Sequence, residues 1–538
     1  MNFLRLSHRF TKLFLIAALG LSALGPGFIP MAQAQAAAGK VANVSVAAVS
    51  GFHVSGANLL DGNGNNFIMR GVSHPHNWYL EETSSFAKIK ALRANTVRVV
   101  LSSGKLWPKD DATDVANVIS LCKANKLVCV LEVHDTTGYG EDDTAASLAE
   151  AVTYWEEIQS VLTGEEAYVI INIGNEPYGN NNTIDWIDDM KNAIANMRTA
   201  GFQHTLMVDA PNWGQDWEHV MLDNAADILA SDPDGNLIFS IHMYGVYDTA
   251  EKIDDYVSAF VTAGLPLVIG EFGWDHSDGD PDEDAILSVA RTYGIGYLGW
   301  IWSGDSYLDV VKDFNPNKLT WWGSRIFYGK DGILETSCEA SIYGDGVNIK
   351  QCLTSRSVDV ADGWILESSR TSNKGGSKNN AATTFNLGDN AANKQYRAIL
   401  PFDTSSLPVG ADITSVTLMF KYAGISGTNP FATHGKLLAD IRAGAFSDDP
   451  ILQLIDFQAL AEKYMALSFT NTKISNWYSR SLIPDDFQDI NVDGPTQFRL
   501  RFAKGDNNDF GADYLKIYSG NAGVANRPLL IIEYIDPP

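Results

Sequence analysis

The chain has 538 residues, of which 45% are hydrophobic and 19% charged, and its formal net charge is −26. That length and balance describe more than one globular domain rather than a disordered chain. The acidic excess excludes a nucleic-acid binder, whose affinity rests on Lys and Arg neutralising phosphate, and it fits a neutral ligand.

Arg5, Arg9 and Lys12 precede the apolar run 13–19, and Ala32-Gln33-Ala34 has small residues at cleavage spacing. This is the pattern of a secretory signal peptide over residues 1–34. Gly25, Pro26 and Pro30 interrupt the apolar span, which disfavours a membrane anchor. The expectation is a secreted protein with no membrane attachment after cleavage. Residues 35–51, rich in Ala and Val, read as a flexible segment. Export permits disulfides. The local pairing is Cys122–Cys129 with Cys338–Cys352; buried thiols are the alternative for Cys122 and Cys129. No Cys/His spacing resembles a zinc site.

Residues 53–70 read as a hairpin turning at 61–66, where the acids and amides lack the Glu that closes an EF-hand. Strand and helix signals then alternate. Apolar, β-branched runs at 67–71, 95–101, 127–134, 169–177, 205–209, 237–242, 265–271 and 295–301 read as strands buried on both faces. Between them lie helical stripes such as Val115, Val118, Ile119, Cys122 and Ile187, Met190, Ile194, Met197, the latter ending at Gly201. This predicts an α/β fold, a closed (β/α)8 TIM barrel over residues 52–345. No Gly-rich dinucleotide fingerprint follows any strand. Residues 346–356 read as a short linker. From 357 to 538 short alternating runs between Gly, Asn, Asp and Ser predict an all-β sandwich, jelly-roll-like, with one helix near 451–463.

The catalytic groups of such a barrel gather where its strands end. Those positions hold His74, His76 and Trp78, then Arg98, His134, Asn175 and Glu176, Trp213, His242 and Tyr244, Glu271, and Trp300 and Trp302. Two carboxylic acids with imidazoles and indoles suit cleavage of a neutral polysaccharide. The acids work on the glycosidic oxygen and the anomeric carbon, and the indoles stack on apolar sugar faces.

Val-Arg98-Val, Val-His134-Asp, Gly-Asn175-Glu176-Pro, His242-Met-Tyr244, Gly-Glu271-Phe-Gly and Gly-Trp300-Ile-Trp302 fall in the order and strand positions of glycoside hydrolase family 5. The chain resembles that family over about residues 52–345. Arg70-Gly-Val-Ser-His74-Pro-His76-Asn-Trp78-Tyr, Glu132-Val-His134-Asp-Thr-Thr-Gly-Tyr-Gly-Glu141 and the stretch from Gly270 to Glu283 resemble its bacterial β-mannanase subfamily, subfamily 8.

The resemblance implies an endo-β-1,4-mannanase acting with retention on mannan, galactomannan or glucomannan and on manno-oligosaccharides. Glu176 would be the acid/base and Glu271 the nucleophile. Arg98 and Tyr244 would keep Glu271 ionised, Asn175 would bind the sugar 2-hydroxyl, and His134 and His242 would orient hydroxyls and Glu176. Trp300, with Trp302 beside it, would be the sugar platform; His74, His76, Trp78 and Trp213 would support binding. No cofactor enters the chemistry. Asp280, Asp282 and Glu283 could hold a structural calcium, or simply form a solvated acidic loop and helix N-terminus. The C-terminal domain resembles DNRLRE-type sandwich modules, some of which bind carbohydrate, with Trp364, Trp477, Tyr514 and Tyr518 as candidate stacking residues. The rival readings are a β-1,4-glucanase on the same barrel and a non-catalytic polysaccharide-binding surface protein.

Overall fold

A computed structural model describes residues 51–344, 350–358 and 360–537; the expected signal peptide, the segment up to residue 50 and part of the expected linker lie outside the described residues. Among the described residues no helix is long and apolar enough to cross a membrane.

Eight parallel strands close a barrel. They are β1 (Arg70–His74), β2 (Thr96–Leu101), β3 (Val128–Val133), β4 (Val169–Asn172), β5 (Leu206–Asp209), β6 (Leu237–Met243), β7 (Leu267–Phe272) and β8 (Gly296–Gly299). Their runs are mostly apolar because helices cover them outside and side chains fill the barrel inside. The helices start where local chemistry dictates. Asp111 caps Ala112–Ala124, accepting from the N–H of Thr113 and Asp114. Ser147 and Glu150 form a capping box on Leu148–Glu157. Asp185–Ala200 stops at Gly201, whose φ of 99° only glycine adopts freely.

The barrel interior decides where polar groups can sit. Alternate residues along a strand face the axis. Near the N-terminal ends these are Val128, Val130, Ile170, Met207, Ile238, Val268 and Leu298, packed with Phe52, Leu59, Phe67 and Met69 from the preceding segment. Phe67 and Met69 thus close the floor, and β1 starts at Arg70 rather than at 67. Two residues farther along the same alternation stand Glu132, Asn172 and Asp209, all buried. An apolar lower layer and a polar upper layer therefore share one face of β3, β4 and β5.

The N-terminal hairpin pairs His53–Ser55 with Asn58–Leu60 and turns at Gly56, not at 61–66. Residues 61–66 make a second turn, in which Asp61 accepts from the N–H of Asn63 and Asn65 and from the N–H and hydroxyl of Ser341. Its carboxylate is occupied in tying the turn to the end of the barrel domain.

Residues 350–537 form an all-β domain, a twelve-stranded sheet folded on itself around Phe402, Phe420, Phe469, Phe498 and Phe502. Lys350–Arg356, expected as linker, is its first strand and pairs with the last, Leu529–Ile535. The disulfide Cys338–Cys352 ties that strand to the barrel. Cys122 and Cys129 are free and buried, contrary to the expected first bridge. They fill the apolar layer between their helix and β3 as small hydrophobes.

No helix spans 451–463. That stretch holds a 3-10 turn, Leu454–Phe457, followed by the strand Lys463–Phe469. Leu452 and Phe457 are buried with Ile365, Ile399 and Phe446, while Ile455 and Leu460 are exposed. The loop lies against the sheet at a spacing no helix face matches.

The two domains share apolar packing. Met419, Trp477, Leu529 and Ile531 of the sandwich join the cluster formed by the barrel helices. Trp477, expected as a sugar-stacking residue, lies flat on Tyr328 of the barrel with ring centroids 4.8 Å apart. The Arg356 guanidinium donates to the carbonyls of Tyr328 and Gly329 and to Glu335. Trp364 and Tyr514 pack edge-on against Tyr396 and are half-buried, as is Tyr518.

Candidate active site

Arg98 is the hub. It projects from β2, is fully buried, and its Nη1 donates to Glu271 Oε1 at 2.5 Å. Nη2 donates to Asn175 Oδ1 at 2.7 Å and to Asn172 Oδ1 at 2.9 Å, with Asp209 Oδ2 at 3.3 Å and Glu132 Oε1 at 3.5 Å from the guanidinium. Burial works against its charge, but Glu132, Glu271 and Asp209 reverse that and raise its pKa. One cation thus fixes groups from β3, β4, β5 and β7.

His242 is the second hub. The register of β6 and β7 shifts between Ile241 and His242, so that His242 pairs with Glu271. A bulge of this kind re-aims a side chain. Gly270 permits the approach, because a Cβ there would stand 2.0 Å from Ser240 Oγ. His242 Nδ1 lies 2.7 Å from Glu176 Oε1 and 3.6 Å from Glu271 Oε2, and Nε2 faces Asp209 Oδ2 at 3.3 Å. Glu176 and Glu271 offer carboxylate oxygens within 4.8 Å of each other.

Glu176 follows β4 with φ of 41°, a left-handed backbone unusual for a non-glycine. Its N–H donates to Asp209 Oδ2 at 3.2 Å and its carbonyl accepts from the Gly138 N–H at 3.0 Å. The end of β5 and the loop after β3 therefore hold the strained turn.

Burial pushes the Glu271 carboxyl up, His242 and Arg98 oppose it, and Glu176 adds to the rise; the net shift is upward. Arg98 therefore acts in the expected direction on Glu271, but burial outweighs it. Tyr244 donates its hydroxyl to Glu271 Oε2 at 2.9 Å, and burial beside Glu271 keeps that phenol protonated.

Burial pushes the His242 imidazole down, but Glu271 and Asp209 more than reverse this and raise it to about 10. Burial pushes Asp209 up, while His242 and Arg98 hold it near about 2. An unfolded His titrates near ~6.5 and an unfolded Asp near ~3.9. Stability from His242 is therefore complete below about pH 6.5 and lost as pH rises through about 10. That from Asp209 is complete above about pH 4 and lost as pH falls toward about 2. Thermal unfolding should show a falling Tm on the alkaline arm, and His242→Gln should flatten that arm. An equally steep arm in the variant would exclude His242 as its source.

Aromatic rings line both sides of this centre. Trp300 stacks on His134 with centroids 5.5 Å apart and donates its indole N–H to Asp305. Trp78 and Trp107 pack edge-on to each other, and both contact the His134 ring. His134 Nδ1 meets Glu132 Oε1 at 3.0 Å. Burial lowers the His134 pKa, yet Glu132 raises it on balance. On the side of Glu176 a groove of about 610 Å³ is lined by Trp213, Trp217, Asn212, Gln215 and Tyr244.

Arg98, His134, Asn175, Glu176, His242, Tyr244, Glu271, Trp300, Trp78 and Trp213 thus converge on one face. Three expected residues do not reach it. His74 is buried edge-on against Phe86 and Phe314, and burial lowers its pKa to about 3. His76 is buried and bonds Asp114 at 2.7 Å. Trp302 is fully buried and donates to Ser85 Oγ. Asp282 caps the helix Glu283–Tyr293, accepting from the Ala285 N–H. Asp280, Asp282 and Glu283 are not among the described groups close enough to share an ion.

Glu132, Asn172, Asp209, Trp107 and Trp217 belong to the site although the sequence assigned them no role. The first three carried a signal, since a polar side chain in register with the apolar interior of β3, β4 or β5 must face the axis. Trp107 lies in a loop, and nothing local pointed it at the site.

Residues 60–306 match the family model described as cellulase (glycosyl hydrolase family 5). A mannan endo-1,4-beta-mannosidase of Streptomyces lividans is 51% identical over 366 residues, covering 65% of this chain and 95% of that protein. The structure of a beta-mannanase from Thermomonospora fusca is 59% identical with a TM-score of 0.54, covering 55% of this chain and 99% of that one. A beta-mannanase from Streptomyces thermolilacinus, solved with mannohexaose, is 56% identical with a TM-score of 0.54, covering 55% and 99%.

Proposed function

The chain belongs to glycosyl hydrolase family 5, and from that premise we propose that it is a secreted endo-β-1,4-mannanase acting with retention of configuration. The observation that carries the mechanism is the pair of carboxylates within 4.8 Å. Retaining glycosidases place theirs about 5–5.5 Å apart, whereas inverting ones leave roughly 6.5–9.5 Å for a water. Relatives named for mannan, at half identity or more over the barrel, support the substrate. The signal-peptide pattern supports secretion.

Glu271 attacks the anomeric carbon from the side opposite the leaving oxygen. Arg98 and Tyr244 hold one oxygen each and leave the carboxylate a single orientation. Glu176 gives its proton to the glycosidic oxygen, then takes one from the water that cleaves the mannosyl-enzyme ester. Asn175 has its carbonyl oxygen fixed by Arg98 and its amide nitrogen donating to Thr137 Oγ1, so it meets the sugar 2-hydroxyl in one pose. The side chains and water suffice for every step. Trp78, Trp107 and Trp300 on one side, and Trp213 and Trp217 on the other, place the cleaved bond inside a groove rather than at its end, which supports endo action.

The test is product formation. Reducing ends should appear from galactomannan and not from a soluble cellulose, and NMR should show the β-anomer first. Hydrolysis of the cellulose alone would defeat the mannan assignment, and the α-anomer first would defeat retention.

A further inference from the structure

Beside the groove, the loops after β7 and β8 carry aromatic surface that the mechanism does not use. Trp274 packs against the cluster of Tyr244, Trp300 and Leu308, and its indole N–H donates to the Tyr307 carbonyl at 2.9 Å. Trp321 meets Trp274 with ring centroids 5.5 Å apart and is 61% exposed; Tyr307 is 46% exposed. Asp275, Asp278 and Asp305 are near enough to act on the Tyr307 hydroxyl.

Trp321 is not a core residue with a loose edge. It is the first residue of the helix Trp321–Tyr328, which buries Trp322, Ile326, Phe327 and Tyr328 and turns Trp321 away. The helix is firmly seated. The Thr320 hydroxyl accepts from the Gly323 N–H and donates to the Asp309 carbonyl, and a Cβ on Gly323 would stand 1.8 Å from the Val310 carbonyl oxygen. Trp274 with Trp321 against it, and Tyr307 joined to Trp274 through its carbonyl, offer stacking surface for a sugar's apolar face, and the carboxylates near the Tyr307 hydroxyl offer acceptors for sugar hydroxyls.

We propose that Trp274, Tyr307 and Trp321 form a polysaccharide-binding shelf outside the cleavage groove, occupied by a further stretch of the β-1,4-mannan main chain. The shelf is continuous with the groove through Trp274, which touches the same cluster as Trp300. A single-sugar branch stays beside the groove it hangs from. Trp321 stands one indole farther out, so successive sugars of a chain would cover both rings where a single-sugar branch covers one. This rests on the mannanase reading, and its function is to hold polymer near the catalytic face.

Two readouts separate the proposals. The first is affinity electrophoresis in linear soluble mannan, with Glu176→Gln as background so that the polymer stays intact. Adding Trp321→Ala should weaken retardation by about 3- to 10-fold, the worth of one stacking contact, and Trp321→Tyr should restore most of it. The second is hydrolysis by the full chain. Trp321→Ala should raise KM on polymer by a similar factor and leave kcat and kcat/KM on mannotetraose unchanged. Trp274→Phe, which keeps a ring, should fall between. Undiminished retardation, or equal losses on polymer and tetraose, overturns the shelf. A loss seen only on galactomannan also overturns it, since the occupant would then be the branch. Failure of the unaltered protein to cleave mannotetraose would instead defeat the mannanase reading, while the retardation assay still judges the shelf.

Discussion

Glu271→Ala is expected to lower turnover by roughly 10⁴- to 10⁶-fold while the protein stays folded. In the proposed mechanism Glu271 bonds the anomeric carbon, so its removal closes the double-displacement path. The fold should survive because Arg98 keeps Glu132 at 3.5 Å and Asp209 at 3.3 Å as counter-charges. Glu176→Gln should fall by a comparable order on mannan, where the leaving oxygen needs a proton, and by much less on an aryl β-mannobioside whose leaving group departs unaided. Azide separates the two roles. Added to Glu271→Ala with the aryl substrate, it should enter the space vacated by the carboxylate and yield the α-mannosyl azide. A β-azide would show that the assignments of Glu176 and Glu271 are reversed. Near-normal hydrolysis in either variant would remove the mechanism altogether.

Arg98→Met is expected to destabilise the protein by about 3–5 kcal/mol, the usual cost of stripping one partner from a buried ionic group. Glu132, Asp209 and Glu271 would be left buried with His242 as the remaining cation in contact with Asp209 and Glu271. Hydrolysis should fall with it, because Asn175 and Glu271 lose a shared anchor. The direction with pH distinguishes this from a packing defect. Carboxylates buried without Arg98 have folded pKa values above their unfolded ones, so the variant gains stability as pH falls toward those values. The gap in unfolding free energy between the two proteins should narrow from neutral pH to about pH 5. A constant gap would mean that the side chain's bulk, not its charge, supports the barrel. Activity lost with full stability would mean that Arg98 serves only to position Glu271.

How much of the site the chain's order alone revealed depends on whether a residue's role is local. Glu176 and Glu271 were legible because each ends an apolar run, and a parallel barrel gathers such ends. The strands were legible for the same reason, although β1 begins three residues later than expected because Phe67 and Met69 are needed in the floor. His74, His76 and Trp302 were misplaced because a strand-end position says that a side chain is near the face, not that it points into the groove. His74 and Trp302 turned into apolar packing, and His76 found Asp114. Cys122 and Cys129 are close in sequence and read as a bridge, yet they serve as filling in an apolar layer. Trp477 looked like a sugar-stacking ring and instead joins the two domains, which no spacing in the sandwich could show.

The sequence by itself determined the barrel, the sandwich after it and the two acids, because periodicity, strand ends and chain order are properties read along one dimension. The tertiary structure alone decided how those acids are held and how Glu271 is tuned. Arg98 comes from β2, His242 from β6, Asp209 from β5 and Glu132 from β3, and this charge network closes on Glu271 only because the barrel brings its members to within a few ångströms. Coulomb interactions follow distance through space and local burial, and neither is written in the spacing of residues along the chain.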